Sequence, residues 1–504
     1  MKPILSAMLW CLAIIAINGC KKHDFPFPGN KTFDLEFYGL TEGNTLVKLH
    51  GKKPGQSYSP VSVTGLQQGE KLLAIDFRPA TGQLYGLGNS NRLYIINHVT
   101  GAATALGTEA FTPALNGTVA GFDFNPTVDR IRVVTANGQN LRLHPELGTV
   151  AFVDGNLNPG TPAVNAVAYL NNFAGATATT LFNIDVASGK LYRQDPPNNG
   201  TLVEVGSLNE NISGEGGFDI SPDNKYALAA LGKSDKNGAK QMLYHVDLNS
   251  GKLSGICELD KKIIGLAIPT NPVAYAADGS NNLHIFNPAM PGTTISKPIS
   301  GMQSGETVAG LDMRPVTGQL YALGSTNRIY TINTATGGAT AISATPFAAV
   351  AAGVSYGFDF NPVVDRIRVV NSNGANMRVH PVTGELAATD ANLNPGSPAV
   401  SAAAYTNSFP GTTSTVLFDI DHAAGKLYKQ DPPNNGTLVE VGSLGVSINA
   451  SNGFDIGGSS NNAWALLTSG GNTKLYSINL STGKAQATGS FPVQATSFAV
   501  GAGF

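Results

Sequence analysis

The chain has 504 residues, 42% hydrophobic and only 13% charged, with 59 glycines and 29 prolines. That is a globular, turn-rich composition, and glycines without a collagen-like period punctuate short segments in the way all-β proteins do. Thirty-two basic residues against 34 acidic ones leave a net charge of -2, and no basic run exceeds a pair such as Lys261-Lys262. The concentrated positive field that nucleic-acid binding needs is missing, so no nucleic-acid partner is expected.

Residues 1–20 read as an export signal. Lys2 supplies positive charge, and Ile4 to Ile17 form an apolar stretch of 14 residues. A bilayer core needs about 20, so this stretch fits a signal-peptide core and not a membrane span. Ile17-Asn18-Gly19-Cys20 then resembles a bacterial lipobox, in which the Cys is lipidated and becomes the new N-terminus. Several acyl chains on one residue anchor a protein stably where a single chain does not. The reading is a signal peptide over 1–19, a lipidated Cys20, and a tether over 20–32 carrying Pro26 and Pro28. The alternative is an ordinary secretory signal with a chance Cys. Either exports the chain; the lipid anchor holds it at a membrane of the bacterial cell envelope, the outer membrane first among the choices, facing periplasm or surface. Cys11 leaves with the signal, so Cys257 has no partner for an intramolecular disulfide and reads as a small core residue.

The rest of the chain is one unit written twice. Ala74 to Tyr85 aligns with Gly310 to Tyr321, Gly121 to Val134 with Gly357 to Val370, and Gln194 to Leu208 recurs unchanged at Gln430 to Leu444, all at an offset of 236. Leu243-Tyr244 matches Leu475-Tyr476 at an offset of 232, so the second copy is shorter by a small loop. Within each copy, groups of four short apolar runs separated by Gly, Asn and Pro recur about every 45 residues, the length of a four-stranded propeller blade. The first copy opens at Phe33 with what reads as a second strand, and the chain ends with a surplus first strand near Thr496 to Val500. Pairing strands from opposite ends of a unit removes exposed sheet edges. The expected fold is an all-β propeller in two tandem five-bladed rings, residues 33–269 and 270–504, closed by Ile263 to Ile268 and by Ser497 to Val500. The alternative is a single ten-bladed ring, favoured by the short join at Pro269 to Pro272.

The segments Ile75 to Leu87, Phe122 to Val134 and Asn140 to Pro145 resemble the bacterial family named domain of unknown function 4394, and the resemblance covers residues 33–504 as two copies. It implies an exported β-rich domain that often occurs singly, and it implies no activity.

Three constellations are candidates for chemistry. Strand alternation places Arg132 on one face of its strand, and Arg142 and His144 on one face of the next. Paired as a hairpin these form a cluster, repeated as Arg368, Arg378 and His380, that suits a carboxylate, sulfate or sugar-acid ligand. The competing reading is a layer of ion pairs between blades. Second, an Asp recurs after the first run of most blades, at Asp76, Asp123, Asp219, Asp312, Asp359 and Asp455. These are either a carboxylate ring for a cation or, as favoured here, caps on turn N–H groups. Third, Gln194 to Gly200 and its twin Gln430 to Gly436 read as a rigid turn between strands. No zinc spacing, EF-hand loop, phosphate cradle or nucleophile elbow is present, and nothing singles out a carboxylate pair such as Asp185 and Asp195. The sequence therefore assigns no catalytic residue, no metal ligand and no cofactor. The expected function is a non-catalytic, lipid-anchored module binding a protein or glycan, with a polysaccharide-acting hydrolase or lyase as the alternative.

Overall fold

The computed structural model describes residues 32–504 apart from 118–119, 236–237, 349–353 and 450–451. The signal, Cys20 and nearly all of the tether lie outside the described residues. What is described is all-β: ten four-stranded antiparallel sheets, with two short 3-10 turns at Pro197–Asn199 and Pro433–Asn435.

In eight sheets the four strands follow one another in sequence, as in Ala120–Asn125, Arg130–Thr135, Asn140–His144 and Thr149–Val153. The turns between them carry residues that tolerate a left-handed backbone; Asp129 and Asp365 each hold φ 50 at a hairpin corner. The other two sheets borrow their first strand from far along the chain. Ile263–Ala267 pairs with Glu36–Thr41, with Tyr38 opposite Ala267, and Ala495–Val500 pairs with Ala274–Asp278, with Ala274 opposite Val500. The segments expected to close each copy are the ones found in these places.

First strands pack on first strands. In the first copy the contacts run from Ile263–Ala267 to Leu72–Phe77, Ala120–Asn125, Val164–Tyr169, Ile212–Ile220 and back to Ile263–Ala267. In the second copy they run from Ala495–Val500 through Val308–Arg314, Tyr356–Asn361, Val400–Tyr405 and Asn452–Ile456 and return to Ala495–Val500. This approach is close enough to demand glycine. A Cβ on Gly217 would stand 2.1 Å from the Leu266 backbone nitrogen, and one on Gly453 would stand 2.4 Å from that of Phe498. Further out, large side chains fill the space between sheets: Tyr85, Leu87 and Leu93 of one sheet bury against Phe122, Phe124 and Ile131 of the next. Each such side chain contributes roughly 1.5–3 kcal/mol of burial.

The two copies meet through polar contacts at a buried seam. The Arg78 guanidinium donates to the carbonyl of Gly318 at 2.9 Å, Gln83 Nε2 to that of Pro315 at 3.2 Å, and Tyr275 Oη to that of Ala80 at 2.8 Å. The C-terminal residues join them, with Gly503 N donating to the Thr81 carbonyl at 2.8 Å.

Candidate functional site

The arginine set lies where the strand register puts it. Arg132 and Arg142 are direct cross-strand partners, as are Arg368 and Arg378. Both guanidiniums of the first copy converge on one carboxylate, Asp154: Arg132 Nη1 at 2.6 Å, Arg142 Nε at 2.7 Å and Arg142 Nη2 at 2.8 Å. Arg132 is buried, and its remaining donors reach Asn140 Oδ1 at 2.7 Å and Asn198 Oδ1 at 2.8 Å. Asn198 belongs to the Gln194 to Gly200 loop, folded into a 3-10 turn that ends on left-handed Gly200. That loop is thus more than a turn between strands, because it seats the guanidinium of the preceding sheet. The second copy repeats the network with Asp390, Asn376 and Asn434. Burial opposes ionisation of Asp154, but hydrogen bonds from Arg142 and Arg132 outweigh it and hold the carboxyl below its usual range. The donors of Arg132 and Arg368 are thereby engaged inside the protein, which is the geometry of the ion-pair layer. Arg142 alone of the first-copy pair reaches the surface, stacked 4.0 Å over the exposed ring of Phe152.

His144 does not join this cluster. Its Nδ1 accepts from the Glu146 backbone N–H at 3.3 Å. Burial pushes its imidazole down to about 4, helped by Arg130 and Arg78 and opposed by Asp129. His380 likewise turns its Nδ1 to a backbone N–H, that of Val382 at 3.2 Å.

The recurring aspartates do something the turn-cap reading missed. Each reaches the first strand of the next sheet: Asp76 Oδ2 accepts from Phe124 N at 2.8 Å, Asp123 Oδ1 from Tyr169 N at 3.0 Å, and Asp219 Oδ2 from Ile268 N at 2.6 Å. Asp312, Asp359 and Asp455 make the same bonds to Phe360, Tyr405 and Val500. The bonds therefore tie sheet to sheet. They also gather carboxylates: one oxygen each of Asp76, Asp123 and Asp219 lies within 4.8 Å of the other two, and so for Asp312, Asp359 and Asp455. All six are buried, and burial together with mutual repulsion drives Asp76, Asp123, Asp312 and Asp359 well above the carboxylate range. A sequence signal for this exists in retrospect. A glycine two residues before most of these aspartates, as in Gly121-Phe-Asp123 and Gly453-Phe-Asp455, lets the next strand come near enough to be reached.

A separate cleft of about 650 Å³ opens on the last sheet of the second copy, lined among others by Ser469, Asn472, Thr473, Lys474, Ser490 and Gln494. The remaining sequence candidates are accounted for structurally. Asp185 accepts three backbone N–H bonds, from Ala163, Ala187 and Ser188. Asp195 sits exposed beside Arg193. Cys257 packs half-buried against the core around Phe37 and Ile256 and is in no disulfide.

Comparison with known proteins gives a family and little more. No curated protein matches the chain. Among solved structures, it is similar to PorZ, an essential bacterial surface component of the type-IX secretion system of Porphyromonas gingivalis, at 13% identity over 91% of this chain and 60% of that one, with a TM-score of 0.26. It is also similar to the extracellular domain of BT4673 from B. thetaiotaomicron, at 14% identity over 90% of this chain and 58% of that one, with a TM-score of 0.24. The chain thus spans about three-fifths of each. The family match is of another order, covering residues 45–267 and again 282–500, which are the two copies: the chain belongs to the domain of unknown function 4394 family and carries that domain in tandem.

Proposed function

We propose that the chain is a non-catalytic binding module of the cell envelope, anchored through a lipid on Cys20 and built as two five-bladed propellers. The closed circuit of first-strand contacts within each copy supports two rings over one. The observation that carries the binding reading is the cleft between Ser469 and Gln494, whose hydroxyl, amide and ammonium lining suits a polar ligand, a glycan above all. Its size lies in the range of ligand pockets, roughly 300–1,000 Å³. The exposed Arg142–Phe152 stack favours a second contact surface in the first copy, with the buried Arg132 as its support; Ala388 replaces Phe152 in the second copy. In that arrangement Arg378 is the exposed member of the second set, and His144 and His380 serve their own strand ends.

An array of neutral and acidic glycans and envelope peptides, probed with the mature chain, tests this. Binding that weakens at least tenfold in Lys474→Ala and stays intact in Arg142→Ala places the ligand in the cleft. The opposite pattern moves it to the Arg142–Phe152 edge. Absence of binding across the array, in a folded protein, removes the binding-module reading. Palmitate labelling of the full chain in a bacterial host, lost in Cys20→Ser, checks the anchor.

A further inference from the structure

We propose that each copy holds one hard divalent cation of the calcium class, bound by Asp76, Asp123 and Asp219 in the first copy and by Asp312, Asp359 and Asp455 in the second. The centre of three oxygens lying within 4.8 Å of one another is no more than about 2.8 Å from each, and calcium–oxygen bonds run at about 2.3–2.6 Å. A small inward adjustment of three side chains makes the ligand set. The donors are all carboxylate oxygens, which suits a hard cation and not a thiolate- or imidazole-seeking metal. Asp76, Asp219, Asp312 and Asp455 accept a backbone N–H at each oxygen, which fixes their carboxylates in place. Asp123 and Asp359 each spend only Oδ1 on a backbone donor.

Charge makes the same demand. Among the described residues no basic side chain forms an ion pair with any of the six aspartates. Three clustered, buried carboxylates without a counter-charge are costly, and they must take up either protons or a cation.

An independent observation favours the cation. Asp419 lies on the second strand of the sheet that Asp359 reaches, directly opposite Ala403. Ala403 faces the seam beside Asp359, since a Cβ on Gly357 would stand 2.6 Å from the Ala403 Cβ. Asp419 is therefore turned into that seam; it is fully buried, and neither of its oxygens has a hydrogen-bond partner. Its charge acts on Asp359, and the Arg368 guanidinium in the same seam partly offsets the cost of burying it. In the first copy Asn183 occupies the same place, opposite Val167, also fully buried and without a partner at either side-chain atom. Both side chains therefore lack a donor or acceptor of their own. A cation carrying its own water satisfies them, because ion-bound water donates to Asp419 or to the Asn183 carbonyl. The second copy sets an acid where the first has an amide, so that site is the tighter of the two.

The test uses the mature chain stripped with a chelator, then titrated with calcium by calorimetry and with terbium followed by tyrosine-sensitised emission. Two calcium ions per chain are expected, with a rise in melting temperature. Asp123→Asn and Asp359→Asn are the informative variants, since each can keep its Oδ1 as the acceptor and turn the amide towards the ion. Each lowers the stoichiometry by one, and the double variant binds none while its circular dichroism is unchanged. Asp419→Asn keeps two sites but brings the second down to the affinity of the first, a loss of roughly tenfold. A stripped wild-type chain that takes up neither calcium nor terbium overturns the proposal whatever the variants do, as does full stoichiometry in a folded double variant.

Discussion

His144 stands at the end of its strand facing Arg130, Arg78 and Asp129, with the Glu146 N–H bonded to its Nδ1. Its imidazole titrates near 4 in the folded chain and near the ordinary value of 6.5 in the unfolded one. The unfolded chain therefore binds the proton first. The stability His144 contributes is complete above pH 6.5 and is lost as pH falls towards 4. The difference in unfolding free energy between wild type and His144→Gln should narrow progressively across that window in urea titrations. A difference that is constant with pH would refute the assignment. The same strand shows what a single residue's sequence context reveals. Alternation was enough to set Arg132 opposite Arg142, since register follows from the hairpin. It said nothing of Asp154, at the end of the next strand, or of Asn198 on a loop of the following sheet, because no periodicity links residues brought together by packing between sheets. Nor did it show that His144, at a strand end, would turn to its own backbone.

Strands were legible because they recur: the unit is duplicated, and each copy repeats its own four-stranded pattern. The two closing strands were legible for a more physical reason, namely that an incomplete first sheet and a surplus last strand each leave an edge needing a partner. The aspartate triads were half legible. Their recurrence was plain, but their convergence depends on first strands packing on first strands, and that approach rests on glycine contacts too long-range to appear in a spacing. The closing strand of the second copy carries a testable load. Ala495–Val500 buries Phe498 and Val500 and supplies the Val500 N–H to Asp455. Ending the chain at Gln494 removes all of this and bares the edge of Ala274–Asp278. Calorimetry should then show the second copy melting well below the first, with dimerisation or aggregation through the open edge. A truncated chain that melts like the wild type would show that the strand closes nothing.

The two copies, alike in strand order and in their aspartate and arginine networks, differ where they touch. Arg78 is buried and joins Asp129 at 2.5 Å, Glu146 at 2.9 Å and the carbonyl of Gly318 across the seam. Its counterpart Arg314 pairs with Asp365 alone and is more exposed, Val382 having replaced the second acid. Arg78→Met strands the buried Asp129 and the half-buried Glu146 and cuts one of the bonds between the copies. It should cost about 3–5 kcal/mol and split a joint melting transition into two. Arg314→Met should cost less and leave the transition joint. Equal effects of the two variants in scanning calorimetry would mean that the seam does not couple the copies.

The strand pairing that completes the first copy also fixes how it meets a pull. The chain arrives at Glu36 and departs after Ala267, and antiparallel register sets these two points side by side at one end of the pair. Tension between the residues before Glu36 and those after Ala267 would therefore enter and leave the first copy at neighbouring points. The bonds between these two strands face such a force one after another, as the teeth of a zip do, and not all at once in shear. Under a pull on the residues before Glu36, this junction is where the first copy would begin to open.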